Sequence, residues 1–206
     1  NRHGVQTART AAFRRAPPRR RQRLFRPGSA GRRHALAFRH LYPKSEILLL
    51  KRSDSIQPLE EILKFGIKVI STLDQPHIPQ QDVVVIASPS SLHLADVINT
   101  ISVTNSLLIE KPITTSVRNA IILQNILLEN SKKAGVGYHM RFSETVMALR
   151  TILADLNYGF IHSISLQYSQ KLSLWRSGVD PTKSGTAKAE LGGGVLLELS
   201  HEIDAL

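Results

Sequence analysis

The lysine of Glu110-Lys111-Pro112 stands between a glutamate and a proline, just past the apolar run Leu107 to Ile109. That run reads as a strand, and a residue leaving the carboxyl end of a parallel strand faces the ligand crevice of an open sheet. An ammonium group there can polarise a carbonyl or orient a hydroxyl for hydride transfer. The plain alternative is a surface turn, and X-Pro is also the one common place where a cis peptide bond occurs. Further on, Glu198, His201 and Asp204 recur at spacings of three, which sets them on one face of a helix. A histidine flanked by two carboxylates is expected to have a raised pKa and to act as a proton acceptor. Gly192-Gly193-Gly194 just before it is expected to leave room for a ligand. A satisfied histidine on an interior helix face is the alternative.

A second group of residues suits phosphate. Gly28-Ser29-Ala30-Gly31 opens a helix and fits the second half of a G-x-G-x-x-G turn, whose backbone N–H groups approach a pyrophosphate at a helix N-terminus. Arg26 stands where the first glycine belongs, so a simple glycine-rich turn is the competing reading. Roughly 20 residues on, the next strand ends in Lys51-Arg52-Ser53-Asp54, where such a fold meets the adenosine ribose. Cations there favour a 2′-phosphate, so Lys51 and Arg52 lean the assignment towards NADP, with Arg52 and Ser53 as candidate cofactor contacts, while Asp54 keeps NAD open; a solvated surface turn fits as well. Ser88 and Pro89 follow the strongest strand, with His93 in the first turn of the next helix. They are candidates to flank the cofactor, or else a turn and an N-cap.

The elements that must hold these residues alternate between short apolar runs and amphipathic stretches, the pattern of βα units around a parallel sheet. Helices are predicted over 30–41, 58–64, 92–102, 116–131 and 143–156, and strands over 46–50, 67–71, 82–87, 107–109, 136–138 and 160–168. Asp82-Val83-Val84-Val85-Ile86-Ala87 is the clearest strand, continuous as one buried on both faces must be. A last apolar helix follows the triple glycine. The formal charge of +11 is concentrated at one end: of 27 Lys and Arg, 13 lie in residues 1–45, which hold no acid, and the other 14 face all 16 acidic residues. A basic face for nucleic acid should be spread over the fold, so a nucleic-acid partner is not expected. Residues 1–27 lack any helical or strand period and are expected to be disordered. There is no cysteine, which excludes disulfides, thiolate nucleophiles and cysteine-bound metal. With no apolar run long enough to span a bilayer, a cytoplasmic location is the default expectation and a membrane partner is not expected.

Taken in order, the glycine-rich turn, Ser88-Pro89 with His93, Glu110-Lys111-Pro112, Gly137-Tyr138-His139-Met140-Arg141-Phe142 and Gly192-Gly193-Gly194 leading to His201-Glu202-Ile203-Asp204 resemble the Gfo/Idh/MocA oxidoreductase family. The resemblance covers about residues 28–206. It implies an α/β architecture: a Rossmann-type parallel sheet with helices on both faces over 28–138, then the start of an α/β substrate domain over 139–206. It also implies NAD(P), a sugar-like small-molecule substrate, and homo-oligomers among intact relatives. By resemblance, Lys111 sits between nicotinamide and substrate with Glu110 beside it at the cofactor, His201 acts as acid/base or binds the reacting hydroxyl, Arg141 and Phe142 lie at the domain junction, and Arg141, Glu198 and Asp204 contact substrate. Members commonly carry an aspartate four residues before the histidine; Leu197 stands there, with Glu198 the nearest acid. The charged segment before Gly28 lacks the expected first strand, so residues 1–27 are expected to be foreign to this fold, and the chain to stop early in the second domain. Two other functions compete: a non-catalytic nucleotide-binding or scaffolding protein, and nucleic-acid binding through the arginine-rich head.

Overall fold

Six short runs assemble into one parallel sheet in a computed structural model of the chain. The structure describes residues 22–25, 29–50, 60–70, 78–171, 174, 180 and 185–205. The strands are β1 (Gln22–Phe25), β2 (Glu46–Leu50), β3 (Lys68–Ile70), β4 (Gln81–Ile86), β5 (Thr104–Ile109) and β6 (Lys133–Val136). Helices α1 (Ser29–Leu41), α2 (Glu60–Leu63), α3 (His93–Thr100) and α4 (Val117–Glu129) lie between them in the chain. After β6 come α5 (Glu144–Ala154), α6 (Val195–Glu198) and α7 (Ser200–Asp204). The spatial order is β3-β2-β1-β4-β5-β6, with every neighbouring pair parallel. The chain winds outward from β1 in one direction and from β4 in the other, so the carboxyl ends of β1 and β4 flank the switch point where ligands bind in such sheets.

Alternate residues of the strands feed two cores. Leu48, Leu50, Val84, Ile86, Leu107 and Ile109 face Val97 of α3 and Leu123 of α4. Ile47, Leu49, Val85 and Ala87 face the other way, onto Ala35 of α1, Ile62 of α2 and Ile67. A strand buried on both faces needs an unbroken apolar run, and for that reason β2 and β4 stand out in the sequence. Each such side chain contributes roughly 1.5–3 kcal/mol by leaving water. Local signals set the helix starts: the Ser116 hydroxyl accepts from the Asn119 N–H at 3.2 Å to begin α4, and the Ser143 hydroxyl accepts from the Val146 N–H at 3.3 Å to begin α5. The expected α/β class, with a parallel sheet covered by helices on both faces, is the one the chain adopts.

Three expectations about elements are corrected. A first strand does exist: Gln22 to Phe25 occupies the middle of the sheet, with Leu24 in register with Leu48 on one side and Val84 on the other. Two neighbouring strands satisfy its backbone on both sides, and that pairing outweighs an unfavourable composition. The last strand of the sheet is Lys133–Val136, earlier than 136–138, because β6 takes its register from β5, Ser106 opposite Lys133 through Ile109 opposite Val136. As an edge strand it tolerates polar residues and Gly135. Residues 160–168 form no strand; their apolar side chains are exposed, Phe160 at 85%. Alternation marks a strand with one buried face, and among the described residues no strand lies beside this segment.

Ile109 closes β5 with no exposed surface. Ile109→Ala should therefore lower the free energy of unfolding by about 2–5 kcal/mol, read as a fall in the urea midpoint of the far-UV CD signal.

Candidate functional site

The carboxyl edge of the sheet is stepped by two hydrogen bonds that prolong the ladder: Glu110 N–H donates to the Ile86 carbonyl at 2.8 Å, and Gly137 N–H to the Ile109 carbonyl at 2.7 Å. The loops after β4, β5 and β6 therefore leave the sheet side by side. After β4, half-buried Ser88 donates its hydroxyl to the Asp96 carboxylate at 2.6 Å, and Pro89 is exposed. His93 is corrected here: the residue is 1% exposed, with Nδ1 3.0 Å from the Pro112 carbonyl and Nε2 2.9 Å from the Ser88 carbonyl. It lies beneath the two loops, between their carbonyl oxygens, and presents nothing to a ligand. The Lys111–Pro112 bond is cis.

Glu110 turns back towards the first helix. Its carboxylate meets His34 Nε2 at 2.5 Å and accepts from the Lys111 N–H at 3.2 Å. A methyl group at Gly137 would stand 3.2 Å from the same carboxylate, so glycine there keeps the space free. Burial alone pushes the Glu110 carboxyl up, but the hydrogen bond and charge of His34, with the Lys111 amide and ammonium, outweigh it and hold the group below its ordinary 4.5.

Lys111 points the other way. Its Nζ donates to the Glu198 carbonyl oxygen at 2.5 Å and lies 3.6 Å from the Glu198 carboxylate. His201 is close by, packed edge-on against His139 at 4.4 Å and Tyr138 at 5.6 Å between ring centres. Its predicted rise in pKa is corrected to a fall. Burial disfavours the imidazolium most, the charges of His139 and Lys111 add to this, and Glu202 and Glu110 oppose it without prevailing. The helix expected to carry Glu198, His201 and Asp204 on one face is broken at Leu199, which separates α6 from α7. Glu198 therefore serves Lys111. Asp204 takes Arg141, with Nε to Oδ2 at 2.7 Å and Nη2 to Oδ1 at 2.5 Å, a two-pronged pair that holds the Asp204 carboxyl below its usual range.

The triple glycine is a contact point and leaves no room for a ligand at Gly192. That residue has φ 83, and a Cβ there would fall 1.9 Å from the Ser90 hydroxyl and 2.8 Å from the Thr115 methyl. It is where the segment after residue 185 docks on the loops of β4 and β5. For the phosphate group, Ser29, Ala30 and Gly31 form the first turn of α1, which starts just beyond the carboxyl end of β1. Gly31 is buried and the turn carries no acid, a donor set that suits an anionic pyrophosphate. Gly28, Arg52 and Ser53 lie outside the described residues.

The Gfo/Idh/MocA oxidoreductase family, with its NAD-binding Rossmann fold, matches residues 27–138, just over half of the chain. The chain belongs to that family. It is 24% identical over 172 residues to the glucose-6-phosphate 3-dehydrogenase of Bacillus subtilis, covering 80% of this chain and 48% of that protein. Against an uncharacterized oxidoreductase of Streptococcus pneumoniae it is 28% identical over 163 residues, 79% of this chain and 42% of the relative. The chain thus spans about half the length of the curated relatives it matches. GenD2 from gentamicin A biosynthesis, solved in complex with NAD, superposes with a TM-score of 0.69 at 21% identity, covering 90% of this chain and 52% of its own, and shares the fold.

Within this member of the family, Glu110, Lys111, Glu198 and His201 converge, Arg141 and Asp204 pair beside them, and Ser88 and Pro89 line the neighbouring loop. His34 and His139 were missed by sequence reasoning. His34 had one usable signal, its spacing of three from Gly31, which turns it to the same side of α1 as the glycine.

Two outcomes follow from this geometry. Gly192→Ala should speed hydrogen exchange across 185–205 while leaving β4 and β5 protected, because the added methyl group displaces the docked segment. Since the folded carboxyl of Glu110 ionises below 4.5, its stabilising effect is complete above that pH and is lost as pH falls through the lower, folded value. The urea midpoint of the wild type should accordingly drop more steeply in acid than that of Glu110→Gln, and parallel curves would refute the pairing.

Proposed function

We propose that this chain carries the cofactor half and the catalytic edge of a dehydrogenase or reductase acting on a hydroxyl or carbonyl carbon of a sugar-like substrate. The observation that carries this reading is the approach of Lys111, on the loop after β5, and His201, on α7 90 residues later in sequence, to one edge of a dinucleotide-type sheet. The likeness to a glucose-6-phosphate 3-dehydrogenase supports the substrate class. Residues 28–138, together with β1 ahead of them, are read as the dinucleotide domain and 139–206 as the beginning of the substrate domain. Bound dinucleotide supplies the hydride donor or acceptor at nicotinamide C4. The N–H groups of Ala30 and Gly31 hold the pyrophosphate, and Ser88 and Pro89 wall the adjacent side. Lys111 orients the reacting oxygen of the substrate with its ammonium, and His201, kept neutral by burial and its cationic neighbours, accepts the hydroxyl proton. Arg141 and Asp204 brace the helix that carries His201. The basic pair Lys51 and Arg52 favours NADP over NAD.

Fluorescence titration with NADPH, NADH and, at several salt concentrations, DNA tests the assignment. Saturable NADPH binding is expected; DNA binding alone, weakening with salt, would replace this reading by nucleic-acid recognition. In turnover assays with sugar phosphates, Lys111→Ala should lower kcat by about 10²-fold or more and leave NADPH affinity nearly unchanged. The acid limb of kcat/KM should fall below the ordinary histidine value of 6.5, since His201 stays neutral to lower pH, and His201→Gln should abolish that limb.

A further inference from the structure

Lys111 is bracketed by two histidines from different helices, neither of which has a part in the chemistry above. On its N-terminal side, Glu110 is held by His34 of α1 at 2.5 Å. On its C-terminal side, Nδ1 of His93 from α3 reaches the carbonyl oxygens of Pro112 at 3.0 Å and Ile113 at 3.2 Å, while Nε2 reaches the Ser88 carbonyl at 2.9 Å. Carbonyl oxygens accept and do not donate, so a ring with one N–H secures one loop and a ring with two secures both. His93 is 1% exposed, so water has no access to replace a lost donor.

We propose that His34 and His93 are positioning residues that clamp the backbone on either side of Lys111 and so keep its ammonium on the Glu198 carbonyl beside His201. The proposal rests on the role given to Lys111 under the proposed function. A lysine side chain has four rotatable carbons, and its tip is placed only as well as its Cα. A displacement of about 1 Å at a reacting group can cost about 10²-fold in rate, which is why anchoring the residues on both sides of Lys111 is consequential.

Two amide substitutions separate clamping from space-filling. In His93→Asn the side-chain amide donates from near the Nδ1 position towards Pro112; in His93→Gln it donates from near Nε2 towards Ser88. The readout is competitive acetylation of the whole chain, followed at Lys111 by peptide mass spectrometry with exposed Lys68 as the internal standard. Lys111 should be acetylated about fivefold faster in His93→Gln, the effect of losing one hydrogen bond, and at the wild-type rate in His93→Asn. Equal rates in the two variants would overturn the clamp, because a role confined to filling the site moves both alike. Should either variant lose its far-UV CD signal, the half-buried His34 gives the same comparison. His34→Ala should then be faster by a similar factor and His34→Gln unchanged, with equal rates again overturning the clamp. NADPH titration of the same samples keeps the two conclusions apart. A chain that binds no NADPH yet shows this labelling pattern removes the proposed function and leaves the clamp, whereas binding with no difference between variants removes the clamp alone.

Discussion

The hydrogen bond from the Glu110 N–H to the Ile86 carbonyl is the constraint from which the site follows. It extends the β4–β5 ladder one residue past the register of Ile86 with Ile109, so the chain leaves the sheet at Lys111 and nowhere else. A slip of one residue would turn Lys111 to the opposite face and put the Glu110 carboxylate in the place of Ile109, in the apolar core beside Ile86. That register is secured by side chains with no exposed surface on either strand, Val84, Val85 and Ile86 against Ile109. The placement of a charged group is thus enforced by apolar packing behind it.

Beyond the sheet edge, charge decides the rest. Glu110 and Lys111 are adjacent in sequence and point in opposite directions, each towards a partner from a distant element: His34 for the acid, Glu198 for the base. Opposite charges drawn apart in this way leave a cation on the side of His201 and an anion on the side of α1. The cation, with His139, disfavours a second positive charge on His201 and keeps its imidazole able to accept a proton. Arg141 meanwhile binds both oxygens of the Asp204 carboxylate.

Much of the sheet was legible because β2 and β4 are buried on both faces and must be apolar throughout, a requirement that needs no knowledge of neighbours. β1 was not legible, since a short central strand is supported by backbone pairing on both sides and its composition carries little signal. Residues 160–168 misled in the opposite sense: Phe160, Ile164 and Tyr168 fit a half-buried strand, but a pattern cannot supply the partner that would bury it. His93 was read as a ligand contact because it follows a strand end; its burial depends on where the Pro112 and Ser88 carbonyls come to lie.

By itself the sequence determined the parallel α/β class, the buried strand through Val83 to Ile86, the lysine before Pro112 and the histidine behind three glycines, because each is written in residues close together along the chain. Tertiary structure alone decided which acid answers which cation, that the helix yields at Leu199 so that Glu198 and Asp204 part company, that Gly192 is a point of contact, and that the His201 pKa falls. The reason is physical. Desolvation and Coulomb interaction depend on distance in space, and the pairs that matter here, His34 with Glu110, Lys111 with Glu198 and Arg141 with Asp204, are 76, 87 and 63 residues apart in the chain.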